Sequence, residues 1–482
     1  MALFARFFGL VTPTPKVTTL IQRIVLLMPT MAMTFTISTT FWMIYIAESL
    51  GGGDYILGLE RVGLLVIIQL VVQTFLDYPS GAVGDKIGQR WVLASALLCF
   101  SLAYWLTSLV DTASPYEHFI LIYALNGLGQ SQQSGAVDAW FDNNYRVAMP
   151  HDSDRKQYGK LKGRMAMVYE IISTLILLPG AWLAMLYSRQ WVFKLQAVAC
   201  VLLAFAVLKA VRDFPETEEI RKKENGESGS YAGILADGVR FVFSSRFVAL
   251  VILGDIVLFC VGNVWWQLLL FPMYFIYLLT DVAVAGYRTL VFVPNAVAQE
   301  RSGFWSARFD PIKWVPRFRL VQFGGVAFFV LLAATTLFWP PPNPATAELL
   351  SVFIPFTQTP LFQVPVDSVP ALVVVFIVFT AGDFFGAFAE VLEMRVIIDV
   401  VPNRIRNSLY SLRPALTIIA SIPVIYAFSF ILPMYGFAVS FAICSMITLV
   451  GTLMIWKGYR YPIPRAQDLS SIRTDSEYTS EV

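Results

Sequence analysis

The sequence predicts an all-α integral membrane protein of twelve transmembrane helices in two six-helix halves, with both termini cytoplasmic. Three observations carry this. Of 482 residues, 57% are hydrophobic and only 14% charged, with a mean hydropathy of +0.65; soluble chains carry about 25% charged residues. The apolar residues fall in runs of about 20, the length of a helix that crosses a bilayer. The basic residues sort almost entirely to one face.

The spans follow in order. Span 1 covers residues 24–48, after a lead-in, MALFARFFGL, that lacks a small-x-small cleavage site and reads as retained. Spans 2 and 3, at 59–83 and 90–110, flank the decapeptide GAVGDKIGQR. Spans 4, 5 and 6 occupy 116–140, 164–187 and 190–211. Spans 7 and 8, at 247–271 and 273–298, are divided by Pro272, and the second fades slowly into polarity. Spans 9 to 12 occupy 320–339, 370–397, 412–432 and 434–456. With the N-terminus inside, only Arg61, Arg189, Lys194 and Arg288 fall outside, and the other 31 of 35 basic residues fall inside. Such a bias sets orientation, and the basic segment KGYRYPIPR supports an even span count.

The domain expectation is a first half over 1–211, a charged linker over 212–246, a second half over 247–457 and a polar, disordered tail over 458–482. The halves show weak similarity: Asp142 precedes YGKLKGR, and Asp399 precedes YSLRPAL. Repeated halves with a site between them are a common transporter plan. The four cysteines, Cys99, Cys200, Cys260 and Cys444, stand alone, which gives neither a disulfide framework nor a zinc site. The two histidines, His118 and His151, lie far apart, and no HExxH, G-x-S-x-G or P-loop occurs. No enzyme, cofactor, metal or nucleic-acid partner is expected, and the expected state is a monomer.

The decapeptide at 81–90 resembles the signature of the major facilitator superfamily, G-x-x-x-D-[RK]-x-G-[RK]-[RK], through Gly81, Asp85, Lys86, Gly88 and Arg90, with Gln89 departing from it. Gly81 is expected to let span 2 approach a neighbour closely, Gly88 to permit a tight turn, and Asp85 to form a latch closed in one transport state. SGAVDAWFDN at 134–143 is similar to the span 4 end of drug-efflux-like bacterial and archaeal members, with Ser134, Gly135, Asp138 and Asp142 matching. FWMIYIAESLGGG, LDYPSGAVGD and VVPNRIRNSLYSL resemble the ends of spans 1 and 2 and the turn after span 10. The family's frequent span 4 arginine is absent, and the second copy of the motif retains at best Asp310.

The resemblance implies a cavity between halves lined by spans 1, 4, 7 and 10, and a secondary transporter working by alternating access. The expected reading is proton-coupled export of a small organic solute across the plasma membrane. Uptake of a metabolite, by symport or facilitated diffusion, is the alternative. A charge at bilayer depth costs roughly 2.5–3.5 kcal/mol, so membrane carboxylates are functional candidates. Asp383 leads, between Gly382 and Gly386, which leave room for a ligand or a close helix. Glu390 lies seven residues on, within reach of Arg395 or Arg413. Glu170 and Asp255 are further coupling candidates, or else partners of Arg164 or Arg246. Asp77 reads as structural. The cavity candidates are Trp42 and Tyr45 on span 1, Asn126, Gln130 and Gln133 on span 4, and Asn263, Trp266 and Gln267 on span 7. Amide and aromatic stripes suit a partly apolar organic ligand, although helix–helix hydrogen bonding uses the same residues.

Overall fold

The structure is a computed structural model that describes residues 7–152, 155–224, 239–306, 308–353, 360–400 and 406–464. The middle of the linker, the start of the turn after span 10 and the tail from 465 lie outside these residues. The chain is mostly helical. Nine helical stretches among the described residues are long and apolar enough to cross a membrane. Large side chains such as Leu26, Phe75 and Leu337 are at least 71% exposed on them. Apolar exposure of this extent suits lipid rather than water.

The chain divides into two compact units. The first comprises residues 1–228 with 280–289, and the second 229–279 with 290–482. The first unit begins with α1 (Pro15–Thr36), started by Pro15 and by the Thr14 hydroxyl accepting from the Val17 amide. A break at 37–41 precedes α2 (Trp42–Leu50), so span 1 is two helices rather than one. Next come α3 (Tyr55–Ile87), α4 (Gln89–Thr107) and α5 (Tyr116–Gln133). The expected single span 4 also breaks. Gly135 takes φ 72°, which glycine tolerates, and α6 (Ala136–Ala148) sets off in a new direction. The unit continues with α7 (Lys156–Leu175), α8 (Leu177–Leu186), α9 (Arg189–Ala210) and α10 (Pro215–Glu224). Its core joins Leu20 and Ile24 of α1 to Leu97, Trp140, Phe141, Leu161 and Val207.

The second unit begins with α11 (Arg246–Val264), a π-helical turn at Trp265–Leu269 and α12 (Leu270–Leu278). Pro272 therefore does not separate spans 7 and 8. The wide turn just upstream shifts the carbonyls that the proline ring would otherwise meet. The helix ends instead at Leu279, with φ 62°, and α13 (Asp281–Ser306) follows, belonging to the first unit up to residue 289 and to the second from residue 290. Then come α14 (Pro311–Val321), α15 (Val326–Phe338), the hairpin β1 (Leu349–Phe353) and β2 (Pro360–Pro365), α16 (Val369–Val400) and α17 (Arg406–Gly458), which breaks at Gly436. Gly254 of α11 and Gly451 of α17 face each other so closely that a Cβ on either would lie 2.8–2.9 Å from the other's carbonyl oxygen. Small residues allow this approach in membranes. Trp265, fully buried in the π-helical turn, packs among Phe323, Phe328, Phe329, Phe379 and Phe441.

Candidate functional site

The charged decapeptide forms the last turns of α3 and the step into α4. Gly88 caps α3 with φ 98°, and its N–H donates to the Gly84 carbonyl at 2.9 Å. Gly81 does not make the close approach expected of it, since a Cβ there would meet no described atom within 4 Å. The glycine packed against a neighbour is Gly84, which lies beneath the Gln89 side chain. Lys86 is exposed, and Arg90 lies over the Trp91 ring at 5.3 Å. The Asp85 side chain lies outside the described residues.

At the end of span 4, Asp138 pairs with Lys162, and Asp142 pairs with Arg146 at 2.9 Å and Arg155 at 2.8 Å. The Arg146 pair lies within α6, while the Lys162 and Arg155 pairs tie α6 to α7 and to the residue just before it. Asp77 accepts from Ser134, and Ser80 donates to the Ser131 carbonyl at 2.8 Å, so Asp77 stitches α3 to the end of α5.

The cavity candidates of the first unit separate. The Tyr45 hydroxyl is taken up by the Val110 carbonyl. Gln130 and Gln133 are half-buried. Trp42 stacks on Tyr123, with ring centroids 5.2 Å apart, and Asn126 lies one turn beyond Tyr123 on the same face of α5. Asn126 is 5% exposed. Its Nδ2 and the Trp42 Nε1 are buried donors without a hydrogen-bond partner among the described residues. Leaving a buried donor unpaired costs about 1–3 kcal/mol.

In the second unit, Asn263 donates to Ser421 at 2.8 Å, which joins α11 to α17. Trp266 is exposed and Gln267 half-buried in the π-helical turn. Asp383 is half-buried on α16. Gly382 admits a close chain rather than a ligand: the Phe323 amide donates to its carbonyl at 2.7 Å, where a Cβ would crowd the same nitrogen. Thr380, one turn before Asp383, has a buried hydroxyl with no partner among the described residues. Glu390 and Glu170 are exposed.

Asp255 is 1% exposed, and it is Arg319 at 3.1 Å and Arg413 at 2.7 Å that hold it, in place of the Arg164 or Arg246 expected. Arg319 also grips Glu393 at 2.7 and 3.1 Å and donates to Gln322 at 2.9 Å. Four helices thus contribute one charge each: Asp255 from α11, Arg319 from α14, Glu393 from α16 and Arg413 from α17. Two carboxylates face two guanidiniums, so the buried group is formally neutral. Arg413, expected beside Glu390, is engaged with Asp255 and lies over the Phe259 ring at 4.7 Å. Sequence reasoning missed Arg319 and Glu393. A signal existed for Arg319, which is the last basic residue before Arg395.

The family model described as Major Facilitator Superfamily matches residues 24–389. An uncharacterized MFS-type transporter, YhjO of Bacillus subtilis (strain 168), is 25% identical over 186 residues, which span 37% of this chain and 40% of that relative. The crystal structure of the nucleoside transporter NupG is 11% identical, with a TM-score of 0.60, covering 90% of this chain and 100% of that one. That of a D-xylose-proton symporter is 14% identical, with a TM-score of 0.60, covering 92% and 98%. At such identities the two structures speak for the fold alone. With the family model across most of the chain and this fold, the chain belongs to the major facilitator superfamily, a family of secondary transporters.

Proposed function

We propose that this chain exports a small organic solute across the plasma membrane by alternating access, driven by protons, through twelve spans with both termini cytoplasmic. The observation that carries a solute site is the pair of unpartnered donors on Trp42 and Asn126. Asn126 lies ten residues into α5, roughly 15 Å along the helix at 1.5 Å per residue. Donors left open at that depth beside stacked rings suit an acceptor-bearing, partly aromatic or apolar molecule. The second unit has a comparable polar face, with Thr380 and Asp383 at a similar depth along α16. The resemblance of the span 4 end to drug-efflux members favours export. The D-xylose-proton symporter among the similar structures keeps uptake as the second reading.

The test starts with a thermal-shift screen of purified protein against drugs, sugars, nucleosides and organic acids. Asn126→Leu should weaken the resulting ligand by about tenfold, the worth of one hydrogen bond of 1.4 kcal/mol, while leaving or raising the thermal midpoint. A lower midpoint with unchanged affinity would make Asn126 structural. For coupling, Asp383 is the first candidate and Glu170 the second, since the ion partners of Asp255 mark it as part of a structural group. Asp383→Asn, a permanent mimic of the protonated form, should abolish concentrative transport in vesicles yet preserve substrate exchange. Undiminished accumulation from pH 5.5 to 8 would move the coupling role to Glu170. Vesicle orientation separates export from uptake.

A further inference from the structure

We propose that the hairpin β1–β2 is a membrane-surface anchor whose exposed leucine and phenylalanine side chains rest at the boundary between headgroups and acyl chains of the outer leaflet, an assignment of leaflet that rests on the orientation proposed above. Its residues pair in antiparallel register, with Leu349 opposite Pro365, Leu350 opposite Val364 and Ser351 opposite Gln363. A bulge between Val352 and Phe353 then shifts the register, so that Phe353 lies opposite Pro360. Strand β2 anchors the hairpin to the unit, since Val364 is 6% exposed and β2 packs on α12. The Tyr277 hydroxyl of α12 also holds the Trp339 carbonyl, just ahead of the hairpin, at 2.8 Å. Strand β1 is left open, with Leu349 50%, Leu350 49% and Phe353 52% exposed.

Three observations name the bilayer as the occupant. The sequence from 349 to 365 contains no Asp, Glu, Lys, Arg or His. Exposed edge strands are normally guarded by charge, lysine above all, because their open backbone invites pairing. Exposed apolar side chains also flank the hairpin along the chain. Leu337 and Phe338 close α15 at 71% and 76% exposure, and Val373 and Ile377 open α16 at 53% and 59%. Finally, the hairpin base is tied to the membrane edge. The Val366 amide donates to the Glu348 carbonyl at 2.9 Å, three residues before α16 begins. A two-stranded sheet cannot enter the hydrocarbon interior, because its outer edges would leave backbone groups unsatisfied. Lying flat at the interface satisfies those edges with water and headgroups while the leucine and phenylalanine side chains reach lipid.

The test uses the full chain with Cys99 replaced, because the other three cysteines are buried. Phe353→Cys, and Thr346→Cys as a control on the exposed approach to the hairpin, carry an environment-sensitive fluorophore in liposomes. A nitroxide near the top of the acyl chain should quench the label at 353 several-fold more than the label at 346, and aqueous iodide should show the reverse order. Equal quenching of both labels by iodide would overturn the proposal by placing the face in water. Protection at 353 from both quenchers would overturn it by placing protein there, either a partner or a second copy. Leu349→Cys repeats the measurement at a second exposed position of β1, so one poorly behaved variant does not decide the outcome.

Discussion

Lys162 and Asp138, with side chains 30% and 71% exposed, pair at the rim of the first unit, whereas Arg319 and Glu393, 6% and 2% exposed, pair inside the second. Both contacts join helices, but they differ in what surrounds the charges. At the rim, water solvates an ion that loses its partner, so each pair contributes little. In the interior, the same loss strands a charge where nothing replaces the partner. A buried ionic group therefore gives more specificity of arrangement than net stability, and it has to be complete.

The difference is open to a graded series of substitutions read by thermal unfolding in detergent. Arg319→Met should have the largest effect, because it leaves both Asp255 and Glu393 without their shared guanidinium. The expected loss is about 3–5 kcal/mol. A midpoint close to that of the parent would show that the group tolerates vacancies, and the contrast between units would fall. Arg413→Gln should cost less, about 2 kcal/mol, since Asp255 keeps Arg319 and Arg413 is 27% exposed. Gly88→Ala probes the first unit through its backbone. A side chain at φ 98° should cost of the order of 1–3 kcal/mol, more than any rim charge in that unit. Lys162→Met should be smallest, at most about 1 kcal/mol, and that difference should shrink further in high salt. A salt-insensitive loss at Lys162 equal to the Arg319 loss would erase the distinction.

Much of the fold was legible because one physical rule dominates it. A bilayer accepts only long apolar stretches with internally satisfied backbones, so composition alone marks where helices run. The interruptions were less legible. Pro272 looked like a terminator, and the π-helical turn that accommodates it carries no sequence mark. Gly135, by contrast, was visible in the motif but read only as a matching residue, when its positive φ breaks the helix. Among the site residues, depth singled out Asp255 but did not reveal its partners. Glu390 and Glu393 are three residues apart, which places them only about 60° apart on a helix. One is exposed and the other buried against Arg319.

The sequence by itself determined that this chain crosses a membrane many times, where its charged turns lie, and, through the 81–90 motif, its family resemblance. Those properties follow from local quantities: transfer energy, run length and the position of each lysine and arginine. Only the tertiary structure decided which polar residues find partners. Asn263 reaches Ser421, Asp255 reaches Arg319 and Arg413, while Asn126 and Trp42 keep donors that no described residue pairs with. The physical reason is that pairing depends on how helices distant in sequence are rotated against one another. A rotation of a few tens of degrees decides whether the same side chain bridges two helices or is left open to a ligand.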